Sequence, residues 1–208
     1  MSLVEESKEI SRWLCEKLNG IEIPNNNRTR VSAGCFDVSM EHQISVTILT
    51  ENRLFGSAFA LARCAFESYI RGAWFKYCAS EQEIENFLKG KFEHTYQKLV
   101  DDIEACDKYS GNALSTIKNS GWKFLNDFTH TGSRQVIRRH TETYVESSYP
   151  EDEVIDMLDF VNVTSLLAGY DAFFLSKTVD ESEAASFLNK IKEYKGRLRT
   201  IRSKRSKA

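Results

Sequence analysis

Apolar residues recur along this chain at intervals of three and four, and no stretch sustains the alternation that marks a half-buried strand. Only two prolines, Pro24 and Pro150, interrupt the helical periodicity. The pattern predicts an all-α fold, a single-domain helical bundle of about seven or eight helices. A first helix is expected over 3–18, closed by Asn19-Gly20, with a polar loop over 24–30 as a flexible entry to the core. Helices are expected near 31–51, 54–78, 81–88 and 92–109, the last closed by Ser110-Gly111. A helix over 113–130 stops before Gly132, and a short one runs from a Ser133 cap to about 141. A long apolar helix over 151–178 follows Pro150, which stands where helices start. The bundle is assigned to residues 1–195 and a basic flexible tail to 196–208.

Two of these helices sort chemistry onto one face. At 100° per residue, Leu114, Ile117, Gly121, Phe124, Leu125 and Phe128 share one side of the 113–130 helix, and Lys123, Asn126, Asp127 and His130 the other. Such a quartet is either the solvated face of an amphipathic helix or a lysine, an amide, a carboxylate and an imidazole presented together. In the 54–78 helix, Arg63, Glu67 and Arg71 recur at four-residue spacing and Trp74 continues the line. On so apolar a helix a charged row is partly buried and needs partners. It serves either as an ion-pair ladder or as a guanidinium pair held by Glu67 and aimed at phosphate. Arg134, Arg138 and Arg139 follow Gly132 as further phosphate-binding candidates.

Composition narrows the classes. Hydrophobic residues make up 41% of the 208, enough for one sizeable core, and a formal net charge of −2 provides no general basic field, so any nucleic-acid contact must be local. The stretch 195–208 does carry seven basic residues and no acidic one, which suits either a phosphate backbone or a frayed, solubilising end. No apolar run is long enough to span a membrane, and residues 1–8 are too polar for a secretory signal, so a cytoplasmic protein without membrane contact is expected. Five cysteines form no CxxC pair. With no Gly-rich phosphate loop, nucleophile elbow or ligand cluster, no cofactor or metal is indicated, Asp127 being at most a lone ligand. His42 and His94 lack polar companions at suitable spacing and are expected at the surface or in caps.

The segments Phe59-Ala-Leu-Ala-Arg63-Cys-Ala-Phe-Glu67-Ser-Tyr-Ile-Arg71-Gly-Ala-Trp74 and Trp122-Lys-x-Leu125-Asn126-x-Phe128-x-His130-x-Gly132, with Arg138-Arg139, resemble an uncharacterised family of bacterial proteins, a domain of unknown function. That resemblance covers most of the chain and implies a helical bundle. More remotely, Asn126-x-x-x-His130-x-Gly132 is similar to the HEPN helical-bundle superfamily. There an Arg-Asn-x-x-x-His motif forms a metal-independent ribonuclease site, often across a homodimer, in toxins and phage-defence effectors. The resemblance implies RNA as substrate, His130 as general acid or base, Asn126 as the orienting amide, and an antitoxin or defence-system protein as partner. The sequence departs from the pattern at one place: Leu125 stands where the arginine is expected. Lys123 shares the face of His130 and would supply charge without bidentate geometry, while Arg63 and Arg71 would stabilise the phosphate from outside the motif. The other function class compatible with these residues is a noncatalytic module that binds a protein or small ligand.

Overall fold

The computed structural model describes residues 2–107, 114–115, 125–178 and 180–205, with side chains through 194. All of its regular elements are helices: α1 (Leu3–Leu18), α2 (Asn27–Glu51), α3 (Phe55–Tyr77), α4 (Glu81–Leu88), α5 (Tyr96–Glu104), α6 (125–129), α7 (Ser133–Ile137), α8 (Glu151–Phe173) and α9 (Glu181–Arg205). Among the described residues the one β-type pairing is an isolated antiparallel bridge between His140 and Val145. The all-α expectation therefore holds.

Local chemistry explains most boundaries. Ser2 caps α1, accepting from Glu5 N–H, and Asn26 caps α2, accepting from Thr29 N–H at 2.9 Å. The polar run expected as a loop over 24–30 is thus split, its second half forming the first turn of α2. Arg28 in that turn anchors it, donating to the Phe75 carbonyl and to Glu81. Ser80 and Glu83 form a reciprocal capping box at α4. His94 donates through Nε2 to that same Glu83 at 2.8 Å, a capping role in line with its expected one. α5 begins later than expected, at a Thr95 cap, and ends earlier, at Glu104 with Ala105 in the cap position and not near 109. α8 stops at Phe173 rather than 178.

α2 and α3 lie side by side, α8 packs across both, and α1 and α9 flank α8. Three apolar clusters fill the interior. One surrounds Phe36, Tyr69, Trp74 and Phe75; a second joins Phe59 and Ala62 to Leu125, Phe128 and Leu158; a third joins Ile10 and Leu14 to Leu166 and Phe187. Between α1, α2, α8 and α9 runs a buried polar chain. Gln43 donates to Asn162, Asn162 donates to Ser7 Oγ and Tyr194 Oη, and Tyr194 donates to Asp159. α9, which the periodicity reading did not pick out, is helical through Arg205, past the point where the bundle was expected to give way to a tail.

Candidate functional site

The second apolar cluster fixes the polar face of α6. Leu125 and Phe128 are buried against α3 and α8, and Phe128 stacks on Phe59 with ring centroids 4.6 Å apart. With those two side chains inward, Asn126 and Asp127 are left half-buried at the rim and His130 exposed, the sorting that the helical angles predict. Lys123 and Trp122 lie outside the described residues.

Arg63 of α3 meets this rim. Its Nε donates to Glu67 at 2.8 Å and its Nη1 donates to Asn126 Oδ1, so the guanidinium plane is held by a carboxylate on one edge and by the motif amide on the other. The row on α3 and the motif on α6 therefore converge through Arg63, Glu67 and Asn126. His130 stands one turn beyond Asn126, its N–H closing on the Asn126 carbonyl at 3.3 Å. Its imidazole has no hydrogen bond or ion pair among the described residues.

Arg71 and Trp74 do not join this convergence, contrary to the four-residue spacing. Arg71 lies over the Phe92 ring at 5.8 Å, and Trp74 is a core residue whose Nε1 donates to Asp102 at 2.9 Å. Two helical turns separate Arg71 from Arg63, about 12 Å at the rise of an α-helix, and α5 covers the Arg71 end. Tyr96 of α5 records that cover. Burial, reinforced by the Glu67 charge, pushes its phenol well above the ordinary tyrosine value, with Arg71 and Arg63 opposing. Sequence reasoning gave Tyr96 no role, since its companions come from a helix some twenty-five residues away.

After α6 the backbone turns sharply. Thr131 has φ +53 and Gly132 N–H reaches the Asp127 carbonyl at 2.6 Å, closing the helix with the bond pattern of a Schellman cap. A Cβ on Gly132 would lie 2.9 Å from Asp127 Cα, so this position takes no side chain. A β-branched residue at positive φ beside His130 is strained, and the surrounding contacts must hold it there. Gly132, not Ser133, occupies the cap position of α7, and α7 ends at Ile137 instead of near 141.

The three arginines that follow are engaged differently. Arg134 Nε lies 3.5 Å from Asp127, and Arg138 pairs with Glu153. Arg139 and His140 have no ion pair among the described residues. Asp127 is therefore an anchor for Arg134, and no group of three metal-ligating side chains occurs among the described residues.

What the fold and this rim define is an all-α bundle in which an arginine of α3 meets the Asn126 amide of α6, with His130 exposed one turn further along. The chain belongs to the family of unknown function DUF6988, whose model matches residues 36–200 and so spans both helices of the site. No curated protein and no solved structure matches it. No helix among the described residues is long and apolar enough to cross a membrane.

Proposed function

We propose that the protein is a HEPN-like effector that binds RNA and cleaves it without a metal, by attack of a 2′-hydroxyl on the adjacent phosphodiester. The observation that carries this reading is the hydrogen bond from Arg63 Nη1 to Asn126 Oδ1. The superfamily pattern places an arginine on the motif helix, where this chain has the buried Leu125. Arg63 brings a guanidinium to the same amide from the facing helix, with Glu67 fixing its orientation. In the reaction O2′ bonds to phosphorus as the bond from phosphorus to O5′ breaks. The imidazole of His130 takes the 2′ proton or gives one to the departing oxygen, leaving a 2′,3′-cyclic phosphate and a 5′-hydroxyl. Arg63 balances charge on the non-bridging oxygens, Asn126 orients the phosphate, and Lys123, which lies outside the described residues, adds a further positive charge.

Homodimerisation and an antitoxin or defence-system partner belong to the same proposal. Four large apolar side chains, Val136, Ile137, Tyr144 and Val145, are exposed within the stretch 136–145, close in sequence to His130 and His140, and they support a second copy docking near the site. Burial of Leu125 also favours a second reading, a noncatalytic module that holds a partner at the same rim. The experiment is cleavage of single-stranded and structured RNA in EDTA by wild type, His130→Ala and Arg63→Gln, with sedimentation of each at micromolar concentration. Cyclic-phosphate products that fall by about 10²-fold or more in His130→Ala, with the fold intact, meet the proposal. Equal inertness of wild type and His130→Ala, with partner proteins present, selects the binding module.

A further inference from the structure

We propose that Cys78 and Cys106 are a redox pair, a modification site at which a hydroperoxide closes a disulfide between the ends of α3 and α5. The register of the two helices brings the thiols together. Phe66 meets Tyr96 with ring centroids 6.3 Å apart. Further along both helices, Trp74 Nε1 donates to Asp102 at 2.9 Å. The contacts advance in the same direction on each helix, so α3 and α5 run parallel here. One turn beyond Trp74 stands Cys78, and one turn beyond Asp102 stands Cys106.

The backbone keeps a helical path up to each cysteine. Cys78 N–H closes on the Trp74 carbonyl at 2.8 Å, and Cys106 N–H on the Ile103 carbonyl at 3.1 Å. Each step is therefore about 6 Å along its axis, and partners that are level at Trp74 and Asp102 stay level at the two thiols. Lys98, Asp102 and Cys106 recur at four-residue spacing on the side of α5 that meets α3, where Lys98 pairs with Asp102 at 2.9 Å. That same side surrounds Cys78. Burial, then the Cys106 sulfur, then Asp102 push its thiol up to about 11, with Lys98 opposing. The other three cysteines share no such register. Cys35 lies against Gly72, two turns of α3 away from Cys64, and Cys15 is exposed on α1.

Both members of the pair are half-buried, which leaves a small oxidant a way in. No group of three metal-ligating side chains occurs among the described residues, so the chemistry on offer is that of two thiols. Cys106, beyond the last turn of α5, reacts first. Its thiolate attacks one peroxide oxygen, the O–O bond breaks, and the other oxygen leaves as alcohol or water, which makes the sulfur a sulfenic acid. The Cys78 sulfur then attacks Cys106 Sγ, the S–O bond breaks, and water departs with the Cys78 proton. Two thiols thereby lose two electrons and two protons, and the hydroperoxide is reduced. The raised Cys78 thiol suits this second role, since a protonated sulfur leaves the oxidant to its neighbour.

The test is treatment of the full chain with hydrogen peroxide, alkylation of the remaining thiols after denaturation, and peptide mapping by mass spectrometry. A peptide pair joined through Cys78 and Cys106 is expected, released by dithiothreitol, with Cys35 and Cys64 still alkylated. Closing a loop of 28 residues should also raise the thermal midpoint, by roughly 5–10 °C. In Cys78→Ser, Cys106 should stop at the sulfenic acid and take up dimedone about tenfold more than in wild type. Cys78 and Cys106 left unjoined, or joined instead to another cysteine or to a second chain, overturn the pair. The map reads this on wild type, so it does not depend on how the variant folds. Neither thiol belongs to the rim of Arg63 and Asn126, and the outcome is separate from that of the nuclease reading.

Discussion

Arg63 donates through one edge to Glu67 and through another to Asn126, so its guanidinium is fixed before any ligand arrives. The side chains of Arg63 and Glu67 are 14% and 25% exposed, between the limits of a surface pair and a dry one. Glu67→Ala should therefore destabilise the fold by about 1.5–3 kcal/mol, the range for a hydrogen bond to a charged group and not that of a buried ion left alone. Thermal unfolding of the variant checks this, and an unchanged midpoint would show that Asn126 alone keeps Arg63 in place. The role of Arg63 was only half legible in the sequence. Four-residue spacing put Glu67 beside it, but the same spacing made Arg71 an equal candidate. What separates the two is the stretch after α4, which sets Phe92 against the Arg71 guanidinium and leads into α5 with Tyr96 close by, and no local pattern on α3 reports a neighbour from elsewhere in the chain.

At the scale of the helices, periodicity located α1, α3 and α4 closely and missed α9. The signal for α9 was present: Phe187, Ile191 and Tyr194 are spaced by four and three and all are buried. Charge along the rest of that segment masks the stripe, and its basic end invited a reading as tail. Caps account for the other displaced boundaries, since Asn26 and Thr95 are polar residues whose hydrogen bonds decide where a run of compatible positions begins to be helical. α2 also carries a titrating group against the bundle. Burial lowers the His42 imidazole from its ordinary value of 6.5, with Glu41 opposing. The folded chain then binds fewer protons than the unfolded chain as pH falls below that value, so stability present above about pH 6.5 is lost on acidification through the folded pKa. His42→Gln should flatten the stability curve between about pH 7 and 5, as measured by denaturation at each pH. An identical slope in wild type and variant would assign the loss to another group.

Over the whole molecule, the polar chain through Ser7, Gln43, Asn162, Tyr194 and Asp159 joins four helices across a core that is otherwise apolar. No sequence pattern announces it, because each member is a single polar residue on an apolar face and only the packing of α1, α2, α8 and α9 brings them together. Such a network is favourable only when complete. Asn162→Leu, close in volume, removes the acceptor of Gln43 and the donor to Ser7 and Tyr194, and should cost about 2–4 kcal/mol. A fall in the urea midpoint without a change in slope is the expected record, and an unchanged midpoint would mean that the groups find other partners. The network also sets an order of events during synthesis. At about 5–20 residues per second, Tyr194 follows Gln43 from the ribosome by roughly 10–30 s, and Asn162 emerges in between. Until α9 is made, Asn162 has no Tyr194 hydroxyl to donate to and Asp159 has no Tyr194 to accept from, so the complete network, joining residues nearly the whole chain apart, belongs to the finished polypeptide and not to the growing one.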